Sequence, residues 1–168
     1  AYLRLLHTMN YEAETSTNER MNSAVTRLDE SLSHIRSSYF SLTYTPAFRA
    51  ANRSGRPSGY EMVDLHTQAD LYLGSNDAVS AYMILFRGNS TVVSSGGNYP
   101  VTECFSRYFT SEEYDAAFWQ DALLESFSQR YYPAAVFSRS SPISDSSERR
   151  LLPAAFKPYW SSNVMVLL

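Results

Sequence analysis

One helix constrains the fold of this chain more than any other feature. Met21, Ala24, Val25, Leu28, Leu32 and Ile35 recur with the spacing of a single helical face, and Arg20, Arg27, Asp29 and Glu30 fall on the others. Ser16 followed by Glu19 has the pattern of a capping box and sets the expected start of this helix. A helix with one apolar stripe needs a core to pack on, so the rest of the chain has to supply one. No internal repeat and no heptad series is read along the sequence.

Strands are expected around that helix. Residues 2–9 read as a short opening strand, and 39–45, rich in aromatic and β-branched types, as a second. Residues 60–65, extending toward 73, and residues 79–86 read as two more, joined through Gly74-Ser75-Asn76-Asp77. Thr91–Val93 is a further short strand, and Val164–Leu168 a terminal strand or buried tail. Residues 46–59 carry Pro46, Gly55, Pro57, Gly59 and three arginines and read as an exposed loop. Thr110 with Glu113 predicts a long central helix running to about Tyr131, with Ala116, Trp119, Leu123, Phe127 and Tyr131 as its stripe and Pro133 as its stop. Residues 138–148 form a Ser-rich loop. The chain of 168 residues is sized for one domain, 1–168, of α+β class, with a mixed sheet in the N-terminal half.

Composition excludes several functions. The net charge is -3, so no broad basic surface is available for nucleic acid and any phosphate contact must be local. One cysteine, Cys104, rules out an internal disulfide framework and a thiolate zinc site; it is either a buried thiol or a link to a second chain. His7, His34 and His66 lack ligand spacing, so no metal is expected. No run approaches the roughly 20 apolar residues of a membrane span. A chain that begins Ala-Tyr-Leu-Arg has the look of a mature or trimmed product. There is no phosphate-binding glycine loop and no nucleophile elbow, and no organic cofactor is implied.

What stands out is aromatic: 13 Tyr, 9 Phe and 2 Trp, against a single lysine, Lys157. Tyr72, expected near a strand end, and Tyr99, after the paired glycines Gly96 and Gly97, are candidates to clamp a planar base. Asp70-Leu71-Tyr72-Leu73-Gly74, Ser80-Ala81-Tyr82 and Gly96-Gly97-Asn98-Tyr99 resemble, in order, segments of the ribosome-inactivating proteins of ricin A-chain and Shiga A-chain type. Trp160 is similar to the tryptophan beneath that family's adenine pocket. The resemblance implies a fold of that kind and a toxin-like rRNA N-glycosylase, secreted and acting in a target-cell cytosol, with the ribosome and its large rRNA as partner. It implies stacking by Tyr72 and Tyr99 over a floor of Trp160. Glu125 would stabilise an oxocarbenium-like ribose and Arg130 would assist the departing adenine. The family spaces its pair as Glu-x-x-Arg, whereas Glu125 and Arg130 are five residues apart and diverge on a regular helix. Arg49, Arg53 and Arg56 are natural phosphate contacts on the expected loop.

Two other readings stand beside it. Arg4, Ser41-Leu42-Thr43 and Glu112-Glu113 follow the order of motifs in mono-ADP-ribosyltransferase toxins, though with altered spacing. The third reading is a non-catalytic binding module whose aromatic residues contact a ligand or a partner.

Overall fold

The computed structural model describes the backbone of residues 2–139, 147–161 and 163–168, with side chains from Thr15 onward within those ranges. The class is α+β, as expected, but helix and strand occupy the opposite halves from those anticipated. Helix α1 spans Tyr2–Thr43, about 60 Å at 1.5 Å per residue. The expected strands 2–9 and most of 39–45 lie inside it, and Ser16 is an interior residue instead of a cap. Tyr39 and Leu42 explain the second difference. Placed three apart on one helical face, both are buried, so packing overrides their strand preference.

Helix α2, Pro46–Ser54, replaces the expected loop. Thr45 accepts the Phe48 N–H, Pro46 occupies the first turn where its missing N–H costs nothing, and Gly55 closes the end at φ 61°. Helix α3, Gly59–Ala69, replaces the expected strand at 60–65. Its start is a capping box: Ser58 Oγ accepts from the Glu61 N–H, and the Glu61 carboxylate accepts from the Ser58 N–H. A π-helical turn, Asp70–Gly74, follows directly, so Tyr72 sits on a helical turn and not on a strand.

The sheet comes afterwards, not before. Strands β1 Met83–Phe86, β2 Thr91–Ser94 and β3 Gly97–Pro100 lead through a short helix α4, Val101–Glu103, into a second π-helical turn, Cys104–Tyr108. Helix α5, Ala116–Leu124, is capped by Asp115, whose Oδ1 accepts from the Phe118 N–H at 2.8 Å. It is less than half the length expected of the central helix, because Thr110–Glu113 does not cap it and the chain turns extended at Glu125. Strands β4 Gln129–Tyr131, β5 Ala135–Arg139, β6 Ser147–Leu151, β7 Ala154–Phe156 and β8 Val164–Leu167 complete the order. The Ser-rich stretch 138–148 ends in β5 and β6; residues 140–146 of it lie outside the described residues.

Six strands pair in the order β3-β2-β1-β8-β7-β4, and β5 and β6 form a separate hairpin. Among the described residues every pairing is antiparallel, in place of the expected mixed sheet. The central pair joins the first and last strands of the sheet in chain order, with Met83 opposite Leu167 and Phe86 opposite Val164. Both strands are apolar throughout because both faces of the sheet are covered. Ile84, Phe86, Val164 and Val166 face a core built with Tyr39, Leu42, Phe48 and Leu65 from the first three helices. Met83, Leu85, Met165 and Leu167 face a second core with Cys104, Phe105, Trp119 and Phe137. The two-residue period of the strands thus splits one apolar run between two cores.

Candidate functional site

Three concave regions concern function, and the most enclosed lies where α1 passes the sheet. Leu28, Leu32 and Ile35 of α1 form one wall, Met83 and Leu167 the sheet wall, and Trp119 and Phe137 part of the second-core wall. The volume is about 350 Å³, within the span that small-molecule sites occupy. Most of the lining is apolar. Polar residues are few: Ser31, Ser80 and Tyr131, whose hydroxyl accepts from Gln129 Nε2, with Arg150 of β6 at an exposed position.

Trp119 gives this cleft its chemistry. The Asp115 cap fixes the first turn of α5 and so aims residue 119 at the sheet. The indole is 1% exposed, and its Nε1–H is buried without a hydrogen-bond partner among the described residues. A buried donor left unpaired costs about 1–3 kcal/mol. In the sequence Trp119 reads only as a member of a helix stripe. Nothing in the sequence marks Arg150 as its neighbour across the cleft, because β6 reaches that position through a pairing with β5 that sets Arg150 opposite Val136.

The second region brings together some of the residues singled out from sequence. Glu125 and Trp160 line one open groove of about 540 Å³ with Phe127 and Lys157. Arg49 and Arg53 line the adjoining groove with Tyr44, Tyr159 and Trp160. Trp160 is 41% exposed and meets the Tyr159 ring edge-on, with centroids 4.7 Å apart. Arg49 lies over the Tyr44 ring at 5.4 Å.

Glu125 and Arg130 do meet. The helix ends before Glu125, β4 carries Arg130, and the intervening chain folds back so that the guanidinium Nη1 donates to the Glu125 carboxylate. Arg130 also stacks 4.6 Å over Phe127, and Lys157 lies 4.8 Å from the same ring. The Lys157 ammonium donates to the carbonyls of Ala122, Leu123 and Glu125 at the end of α5. Burial holds its pKa below the ordinary lysine value, against the opposing charge of Glu125. Glu125, Arg130 and Lys157 therefore satisfy one another and the helix end, a structural use of charge that the five-residue spacing concealed.

The tyrosines do not come together. Tyr72 packs against the helix-covered core and Tyr99 against the core on the other face of the sheet. The paired glycines before Tyr99 make room for its own ring: a Cβ on Gly97, at φ 125°, would lie 3.4 Å from the Tyr99 hydroxyl. That hydroxyl donates to the Gly96 carbonyl at 2.6 Å, and the ring stacks on Tyr108 at 4.3 Å. Arg56 also belongs elsewhere, lying so close to Gly88 that a Cβ there would meet its Cγ at 2.8 Å. One motif of the transferase reading takes another form. Ser41-Leu42-Thr43 is the last turn of α1 instead of a strand, and the Arg4 side chain lies outside the described residues.

The third region is a small polar cluster at the first π-helical turn. The Tyr82 hydroxyl donates to Asp70 Oδ1 at 2.6 Å, and His66 Nδ1 lies 3.6 Å from Asp70 Oδ2. Burial, then the Asp70 contact, pushes the tyrosine pKa up. The pair ties the turn to the segment before β1. Among the described residues no group of His, Cys, Asp and Glu is placed to hold a metal, and no helix is long and apolar enough to cross a membrane. Cys104 is fully buried 3.9 Å from the Met83 sulfur, and burial pushes its thiol up to about 12. It is a core residue, and the expected link to a second chain through it has no support. The chain matches no family model, and no curated protein or solved structure matches it.

Proposed function

We propose that the chain is a non-catalytic ligand-binding module whose site is the cleft between α1 and the sheet. Its ligand is a small amphiphilic carboxylate, with an apolar body in the cleft and an acid group near its polar rim. The observation that carries this reading is the buried, unpartnered indole donor of Trp119 in the wall of an otherwise apolar cleft. That donor has no surface open to solvent, so a ligand oxygen would satisfy it by displacing the side chains packed over it, and Arg150 supplies a cation suited to a carboxylate. The remaining lining contributes contact area, two serines and Tyr131, without a nucleophile–base pair or a carboxylate pair for chemistry.

The rRNA N-glycosylase implied by the resemblance needs both tyrosines on one base, with the acid and the arginine at its edge. Tyr72 and Tyr99 lie on opposite faces of the sheet, and the Glu125–Arg130 pair is bound up at the end of α5. Both placements favour the binding-module alternative, and the toxin role and secretion tied to the glycosylase reading are not carried forward.

The test uses Trp160→Phe, which leaves Trp119 as the only tryptophan. Titration with a series of straight-chain and aryl carboxylates is expected to give a saturable change in Trp119 emission and a raised Tm. Arg150→Ala should weaken the carboxylates by roughly tenfold, about 1.4 kcal/mol, while leaving the matching alcohols unchanged. No saturable response across the series refutes the reading. In parallel, ribosomes incubated with the protein are treated with aniline; a released rRNA fragment reinstates the glycosylase.

A further inference from the structure

Helix α1 is longer than its stripe alone foretold, and the added length changes what the stripe is. Counted to the end of the helix, its apolar positions are Met21, Val25, Leu28, Leu32, Ile35, Tyr39 and Leu42. The steps are 4, 3, 4, 3, 4 and 3 residues, an unbroken heptad series. Tyr39 and Leu42 complete it, although the residue types of 39–45 favour a strand. In this register Val25, Leu32 and Tyr39 occupy a, and Met21, Leu28, Ile35 and Leu42 occupy d. Asn18 takes the a position before them.

The domain uses only one end of the series. Tyr39 and Leu42 are buried in the helix-covered core, and Ile35 packs against it. Met21, Val25 and Leu28 are 59%, 53% and 52% exposed. Long helices gain their stability from an apolar face in contact, not from propensity alone, and here that face runs out beyond the body that covers its end.

We infer that α1 joins a second copy of this chain as a parallel, in-register, two-stranded coiled coil through Asn18–Leu28. The residue types select the occupant. A β-branched residue at a, Val25, with leucine at d, Leu28, favours two strands in parallel over larger bundles. Asn18 at a faces its own equivalent in a parallel in-register pair, so the two amides bond each other. In an antiparallel pair it would face an apolar d residue and lose that partner. The flanking positions raise no charge barrier. Ala24 and Ser31 at g face Asp29 and Arg36 at e of the other copy, and no like charges meet.

Leu28 borders both the seam and the ligand cleft, but neither Met21 nor Val25 lines the cleft, so substitutions confined to 21 and 25 let the inference fail or hold without the proposed ligand. The experiment has two arms on the full chain. Sedimentation of the unaltered protein at roughly 100 μM is expected to give twice the monomer mass, and Met21→Glu/Val25→Glu to give the monomer mass with the unfolding transition of the body retained. In the second arm Val25→Cys is oxidised mildly; because Cys104 is buried, a disulfide-linked dimer reports position 25 facing itself. A monomeric unaltered protein, or a dimer that survives the double substitution, overturns the inference. A dimer that the double substitution disrupts but that does not cross-link at position 25 overturns the parallel arrangement.

Discussion

Replacing Lys157 by methionine removes the ammonium and keeps most of the stem. In the native chain Lys157 is 4% exposed, and its Nζ donates to the Leu123 carbonyl at 2.6 Å, to that of Glu125 and more weakly to that of Ala122 at 3.4 Å. These belong to the terminal carbonyls that a helix leaves without partners. A hydrogen bond to a charged group contributes about 1.5–3 kcal/mol, so the two shorter bonds together give about 3–6 kcal/mol. Recovering the solvation of a buried ammonium offsets a substantial part of that, since the effective penalty is several kcal/mol per ion. The net expectation is a loss of about 2 kcal/mol, with the helix-end carbonyls left unpaired. For a chain of this size that corresponds to a fall in Tm of about 4–8 °C. Urea unfolding followed by circular dichroism checks it, with the slope against denaturant unchanged. A double-mutant cycle with Phe127→Leu should give a coupling of about 0.5–1 kcal/mol from the cation over that ring. If Lys157→Met is neutral or stabilising, the desolvation cost outweighs the cap, and the assignment of the only lysine to the end of α5 is wrong.

Gly97→Ala should destabilise the β2–β3 hairpin by about 1–3 kcal/mol, because φ 125° is a region that alanine rarely adopts; thermal unfolding and amide exchange at Val92–Tyr99 report it. Stability should also fall in alkali. Burial raises Cys104 from 9.0 to about 12 and raises Tyr39 and Tyr82 above their ordinary 10.0. Each keeps its proton longer in the fold than in the unfolded chain, so its contribution is whole below the unfolded value and is lost as pH climbs past it. Lys157, with its value lowered, acts in the opposite sense. Unfolding curves from pH 8 upward should show a decline beginning near 9 that Cys104→Ala reduces, and a thiol reagent should label Cys104 only in denaturant.

Several of the arginines are engaged within the fold. Arg130 is engaged by Glu125 and Phe127, Arg107 by Glu103 at 3.0 Å, and Arg49 by Tyr44 at 5.4 Å. The aromatic excess is spent similarly. Tyr114, Phe118, Trp119, Tyr132 and Phe137 pack on one another at centroid distances of 4.9 to 6.0 Å. An edge-to-face cluster of this kind stabilises a core without a ligand. Among the described residues the exposed aromatics are Phe40, Tyr44, Tyr60, Tyr159 and Trp160, and neither proposed base-stacking tyrosine is among them.

Legibility in the sequence followed the range of the forces involved. Strands β1, β2 and β8 were readable because β-branched and apolar runs bounded by turn residues specify them locally. The segments 2–9, 39–45 and 60–65 were not, because a short apolar run fits either period and only its neighbours decide. Ser58 and Glu61 held the deciding signal for α3, a capping box that brackets Tyr60, yet the nearby prolines and glycines read more strongly as a loop. The cleft was illegible for a different reason: Trp119, Arg150 and Leu32 come from three elements whose meeting depends on the sheet order. The end of α1 had the widest consequence. Stopped near Ile35, the stripe is too short to separate a 3.5-residue period from the 3.6 of a surface helix, which drift apart by only about 20° per heptad. Carried through Tyr39 and Leu42, it holds the 3.5 period for three full heptads, and the same six residues that called for one core now span two surfaces, the domain's own and another that Met21, Val25 and Leu28 leave exposed.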